Sequence, residues 1–183
     1  MRRLFASHVS LPRMNIFQQS IPPMKQMLSN LLGWLDLAAK HAEAKNFDVD
    51  TLCIARLAPD MYSLTKQVQT ACDTAKFTVA RLSGKEAPVH PDTETTMAQL
   101  RARINTVVAN IDTVKEADFA TAEDRMVALA WMPGHAVKGS NYLTQLQLPN
   151  FYFHAMAAYA ILRHNGVELG KQGFIGHVDF VKM

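Results

Sequence analysis

The segment LPNFYFHAMAAYAILRHNGVELG, Leu148 to Gly170, carries one histidine near its start, His154, inside a tract that is apolar on nearly every side. An imidazole in such a place has two chemistries open to it. It can ligate a metal or move protons near neutral pH, or it can be a buried ring satisfied by hydrogen bonds within a helix bundle. Under the second reading the partner is Gln67, Asp60 or a backbone carbonyl on a facing helix. Gln67 lies at the edge of its own helix stripe and faces water unless it meets His154. Asp60 follows Pro59, where a carboxylate suits a helix N-cap. His154, Asp60, Gln67 and Trp34 are the candidate pocket residues. Cys53 and Cys72 form no CxxC pair and have no metal-ligand spacing; each sits among apolar residues and reads as a small buried hydrophobe of a reducing compartment. No GxSxG elbow, P-loop, GxGxxG or HExxH occurs. Of the other histidines, His90 precedes a proline in a loop expected to be exposed, His135 falls in a turn, and His164 falls in a last helical turn where positive charge suits the dipole.

Helices must position these side chains. The first opens near Pro22–Pro23 with Ser20 as its cap, and Met24, Met27, Leu28, Leu31, Trp34, Leu35 and Ala38 form its apolar stripe up to NFDVD. The second is predicted from about Asp60 to Leu82, with Met61, Leu64, Val68, Cys72, Ala75, Val79 and Leu82 on one face and Gly84 closing it. GKEAPVHP reads as a loop. A third helix opens at Asp92, and its stripe of Met97, Leu100, Ile104, Val107, Ile111 and Val114 asks for long, bundle-type contacts. RMVALAWMPGHAVKG predicts a β-hairpin turning at Pro133–Gly134. The last helix starts near Ser140 or Asn141, kinks or restarts at Pro149, and stops at Asn165–Gly166. Phe174 and Ile175 in the tail are placed to dock on the bundle.

At 183 residues, 49% hydrophobic and 19% charged, the chain fits one soluble domain over residues 14–183 that needs neither disulfide nor metal to build a core. The net charge of +3 is largely local: Arg2, Arg3, Arg13 and Lys25 precede the first acid, Asp36. No basic stripe interleaved with aromatics follows, which argues against nucleic acid. No stretch is apolar enough to argue for a membrane span. MRRLFASHVSLPR is basic, acid-free and serine-containing, and reads either as an organelle-targeting leader or as a mis-called extension before a start at Met14; without it the expectation is cytoplasmic.

Between Phe151 and Leu162 only His154 is strongly polar, and at 100° per residue these positions cover the whole helix circumference. One bundle core cannot hide them all. Either the hairpin and tail cover the outer side or a second subunit does, and a symmetric homodimer using Tyr152, Met156 and Tyr159 is expected.

Three segments carry a family resemblance: CIARLAPDMYSLTKQVQTACDTAK (Cys53 to Lys76), PDTETTMAQLRARI (Pro91 to Ile104) and the tract from Leu148 to Gly170. Together they resemble a domain-of-unknown-function family grouped with the DinB-like four-helix bundles, which are described as candidate metalloenzymes. The likeness spans roughly Asn15 to Gly176. It implies an all-α, up-down four-helix bundle with a short hairpin before the last helix. Many DinB-like proteins hold a metal on three histidines, one from the second helix and two at i and i+4 on the last. Water on that metal, or a thiolate cofactor, then serves as nucleophile. This sequence departs from the pattern: four residues after His154 stands Ala158, and no histidine lies between His41 and His90. A substitute site would need His154 with Asp60 or Asp73. The expectation is therefore no cofactor and a non-catalytic homodimer binding a small molecule or partner. The alternative is a metal- or thiol-dependent transferase- or isomerase-like enzyme with a degenerate site around His154.

Overall fold

A computed structural model describes residues 14–182, so the leader expected over residues 1–13 lies outside the described residues. The architecture is mostly helical. Four long helices, α1 (Ile16–Lys45), α2 (Leu64–Ser83), α3 (Met97–Ile111) and α4 (Leu148–His164), are joined by a two-stranded hairpin, β1 (Met126–Ala128) with β2 (Ala136–Lys138), and a short α5 (Lys171–Ile175).

Capping chemistry moves three helix starts from their expected places. Asn15 opens α1: its side chain accepts from the Gln18 N–H at 2.9 Å while the Gln18 side chain returns to the Asn15 N–H. Two first-turn amides are thereby satisfied, and the helix runs through Pro22 and Pro23. Ser20 is no cap; it is buried and its hydroxyl donates to Ile16 O at 2.6 Å. Ser63, not Asp60, caps α2, and Asp60 stands in an exposed turn. Thr96 caps α3 in a second reciprocal box with Gln99, leaving Asp92 upstream in an extended connection.

The alternating up-down order expected from the helix count gives way to another arrangement. Lys25 pairs with Asp112 and Arg101 with Asp36, so α1 and α3 are antiparallel. Likewise α2 and α4 are antiparallel, with Gln67 facing His154 and Thr78 facing Gln147. But α2 and α3 run parallel: Gln69 meets Glu94 just before α3, and Lys85 just after α2 meets Asp118 just after α3. α1 and α4 are also parallel, with Trp34 against Tyr159 at one end and Gln19 sharing a cavity with Asn141 and Thr144 at the other. The order is up-down-down-up. A 20-residue helix is about 30 Å long, so parallel α2 and α3 cannot be joined by a turn. Residues 84–96 span that distance as an extended strap along the groove between them, within the roughly 3.3–3.6 Å per residue an extended chain allows.

The hairpin forms as expected, with Val127 opposite Val137 and Gly134 at φ 80° in its turn. His135 is exposed beside it. The following helix does not restart at Pro149. A turn at Gly139–Asn141 passes into a π-helical segment, Tyr142–Gln147, and then into α4. Pro149 sits in the first turn of α4, just after the hydrogen-bond register has shifted, where its missing N–H is tolerated. Gly139 is required where this helix meets the chain after α3: a Cβ there would lie 1.8 Å from Ala122 O. In the tail Phe174 docks, stacking on Trp34 at 5.5 Å, whereas Ile175 stays half exposed.

Candidate functional site

His154 projects from the first half of α4 toward α2 and is buried. Its Nδ1–H donates to Gln67 Oε1 at 2.7 Å. Gln67, only 1% exposed, turns its amide nitrogen the other way and donates to Tyr62 O at 3.3 Å. That chain fixes the imidazole tautomer: Nδ1 carries the proton and Nε2 keeps its lone pair. Burial holds the ring below its ordinary pKa, so the neutral form prevails at pH 7. Around it the neighbours are aromatic. Tyr62 stacks at 6.1 Å and Phe153 meets the ring edge-on at 5.2 Å; the two are 50% and 57% exposed, and Met156, three residues after Phe153 on the same helix, is 48% exposed.

Gln67 and His154 are one rung of a polar seam between α2 and the last helix. Asn150 donates to Thr74 Oγ1 at 2.8 Å, Thr78 Oγ1 lies 3.2 Å from Gln147 Oε1, and Arg81 donates to the Tyr142 hydroxyl at 2.9 Å. On α2 these positions are spaced seven, four and three, one face of an α-helix. On the facing helix the spacing from Tyr142 is five, three and four. The five matches the i→i+5 bonding of the π segment, which keeps Tyr142 on the seam. The polar spacing on α2 was visible in the sequence; its partner face was not, because an α-helical period puts Tyr142 elsewhere.

The other candidates lie apart from His154. Asp60 is exposed and makes no hydrogen bond with the ring. Asp73 belongs to a separate ionic cluster, with Arg103 and Lys76 each 2.7 Å from its carboxylate. Trp34 is buried against the tail: its indole N–H donates to Gly173 O at 3.0 Å, and Phe174 and Tyr159 pack on it. Tyr159 is thus half covered within its own chain, and Tyr152 is half-buried beside Phe151. Cys53 and Cys72 are buried free thiols; burial pushes Cys72 up to about 12, which keeps it an inert thiol.

The model of a domain of unknown function (DUF1993) matches residues 16–175. The chain belongs to the DUF1993 family. A solved structure of a DinB family member protein from Shewanella denitrificans is 41% identical, covers 92% of this chain and 96% of its own, and superposes with a TM-score of 0.89. No curated protein matches the chain. The histidine tripod of DinB-like bundles does not fit the residues of this DUF1993 protein. His154 spends one nitrogen on Gln67, Ala158 follows four residues on, and neither Asp60 nor Asp73 is bonded to the ring. Among the described residues no group of three or more His, Cys, Asp or Glu side chains is placed to hold a metal ion. Nor is any helix among them long and apolar enough to cross a membrane.

Proposed function

We propose that this DUF1993 protein is a non-catalytic binding bundle, acting as a homodimer, whose recognition surface is the aromatic patch over His154. The observation that carries this reading is the company His154 keeps. One nitrogen is committed to Gln67, and the exposed side chains packed on the ring are Tyr62 and Phe153 rather than a second acid, base or ligand. Exposed apolar clusters rimmed by polar groups mark interaction surfaces. Tyr152 and Met156 border this patch along α4, so it takes in the outer face of the one helix that is apolar all round. Tyr159 contributes less, because Trp34 and Phe174 already cover it. Sedimentation at micromolar concentration should give a dimer, and Phe153→Glu or Met156→Glu should give a folded monomer. A monomeric wild type would overturn the reading. So would one tightly held ion per chain after incubation with divalent metals.

One feature favours the enzyme alternative: a neutral Nε2 of fixed tautomer is the form a general base needs. Under it, His154→Ala would abolish turnover of whatever substrate is found while leaving the fold intact; unchanged turnover would dismiss it.

A further inference from the structure

The strap formed by residues 84–96 is fastened to the groove between α2 and α3 mainly by charge. Asp92 is paired with Lys66 of α2 and with Arg103 of α3, and Glu94 with Arg103 at 3.1 Å and Gln69 at 2.8 Å. Arg103 also donates to the strap's Pro91 O at 3.3 Å and to Asp73 at 2.7 Å, and its side chain is only 3% exposed. In the middle of these fastenings sits His90. The sequence places it in an exposed loop, but it is half-buried, shares a cavity of about 280 Å³ with Arg103, Glu94 and Gln99, and has its Nδ1 enclosed without a hydrogen-bond partner. Arg103 Nε is also enclosed and unpartnered.

We propose that the strap is a pH-gated clasp: mild acid protonates His90 and lifts residues 84–96 off the α2–α3 groove. The charged groups acting on His90 are Asp73 and Lys76 from α2, Arg103 from α3 and Glu94 from the strap itself. Both cations are nearly fully buried, so their charge is poorly screened. The carboxylates are already engaged: Asp73 accepts from both cations, and Glu94 accepts from Arg103 and Gln69. A protonated His90 would be a third cation among these groups, with an N–H enclosed where nothing accepts it. Released into water, the ring has neither penalty.

Burial first, then Arg103 and Lys76, hold the docked His90 below its ordinary value of 6.5. The lifted strap returns it to that value. Docking is therefore full above pH 6.5 and weakens as pH falls below it, by up to about tenfold per pH unit until the docked pKa is passed. Asp92 stays charged through this window. Burial raises Asp92, but the Lys66 hydrogen bond and the Lys66 and Arg103 charges more than offset that and hold it below the usual carboxylate range.

Spin labels on Val89→Cys in the strap and Ala109→Cys on α3, both exposed positions, leave the buried Cys53 and Cys72 untouched. Pulsed dipolar spectroscopy should give a narrow distance distribution at pH 7.5 and a broad one at pH 5.5. The midpoint of that change should coincide with the NMR titration of the His90 ring, below 6.5. In His90→Gln the distribution should keep its pH 7.5 width at pH 5.5, whereas His154→Gln should still broaden. A wild-type distribution that stays narrow at pH 5.5 would overturn the proposal, as would acid broadening in His90→Gln or a midpoint that departs from the His90 titration.

Discussion

Gln67→Leu isolates the contact on which the reading of His154 depends. Leucine keeps roughly the bulk of the side chain but removes the oxygen that accepts the Nδ1–H at 2.7 Å and the nitrogen that donates to Tyr62 O at 3.3 Å. Tyr62 is half exposed, so water can take over at its carbonyl. The imidazole N–H has no such recourse, because Gln67 is 1% exposed and His154 is buried. Leaving a buried donor unmet costs about 1–3 kcal/mol, and the added apolar contact of leucine offsets part of that, for a net loss of about 1–2 kcal/mol. With a urea m-value of about 2 kcal/mol/M, the unfolding midpoint should fall by about 0.5–1 M. The double variant Gln67→Leu/His154→Leu has no orphaned donor, and replacing both partners by apolar groups is close to neutral. It should therefore recover much of the loss, with a coupling energy of about 1–2 kcal/mol. If the single variant leaves the midpoint unmoved, or if the two single losses simply add, His154 is not held by Gln67 and the fixed tautomer goes with it.

Arg103→Met removes the cation that Asp73, Asp92 and Glu94 share. Breaking a buried pair costs about 3–5 kcal/mol, but Asp73 and Asp92 keep roughly a third of their contact with water, so about 2 kcal/mol is expected, read as a lowered urea midpoint. Gly139→Ala should destabilise by about 1–3 kcal/mol, since its Cβ would press on Ala122 O, a backbone atom. Gly33→Ala, with nothing within 4 Å in the middle of α1, should instead stabilise by up to about 1 kcal/mol; equal melting temperatures for the two variants would contradict both. His154 should titrate below 6.5 by NMR because burial disfavours its charged form. Its contribution to stability is then complete above pH 6.5 and declines as pH falls below that, a decline that His154→Gln should lessen.

Much of the bundle could be read from residue periods. The stripes Met61–Leu82 and Met97–Val114, like Met24–Ala38, supply the buried faces of α2, α3 and α1, save that Met61 stands half-buried ahead of α2 and Val114 is buried just past α3, because a 3.6-residue apolar repeat suits a packed helix face. The hairpin turn at Pro133–Gly134 and the stop at Asn165–Gly166 were equally legible from backbone chemistry. Helix starts were less so: Ser20, Asp60 and Asp92 were reasonable caps by type, yet Asn15 and Thr96 can each form a reciprocal box and Ser63 lies nearer the stripe it caps. Of the candidate site, the pair His154 and Gln67 was among the expected contacts, while Asp73 and Trp34 proved to serve other neighbours and Asp60 stands in an exposed turn.

Local chemistry in the chain determined which faces are apolar, where the backbone turns, and that a lone histidine lacks the companions of a metal tripod. Tertiary structure alone decided that α2 and α3 lie parallel, that residues 84–96 must run back between them as a strap, and that a π segment carries Tyr142 onto the seam opposite α2. Helix direction depends on which faces meet across the whole core, and segments far apart in the chain fix that together. For the same reason His90, polar and proline-flanked like any loop residue, ends beside two buried cations that only the folded bundle brings to it.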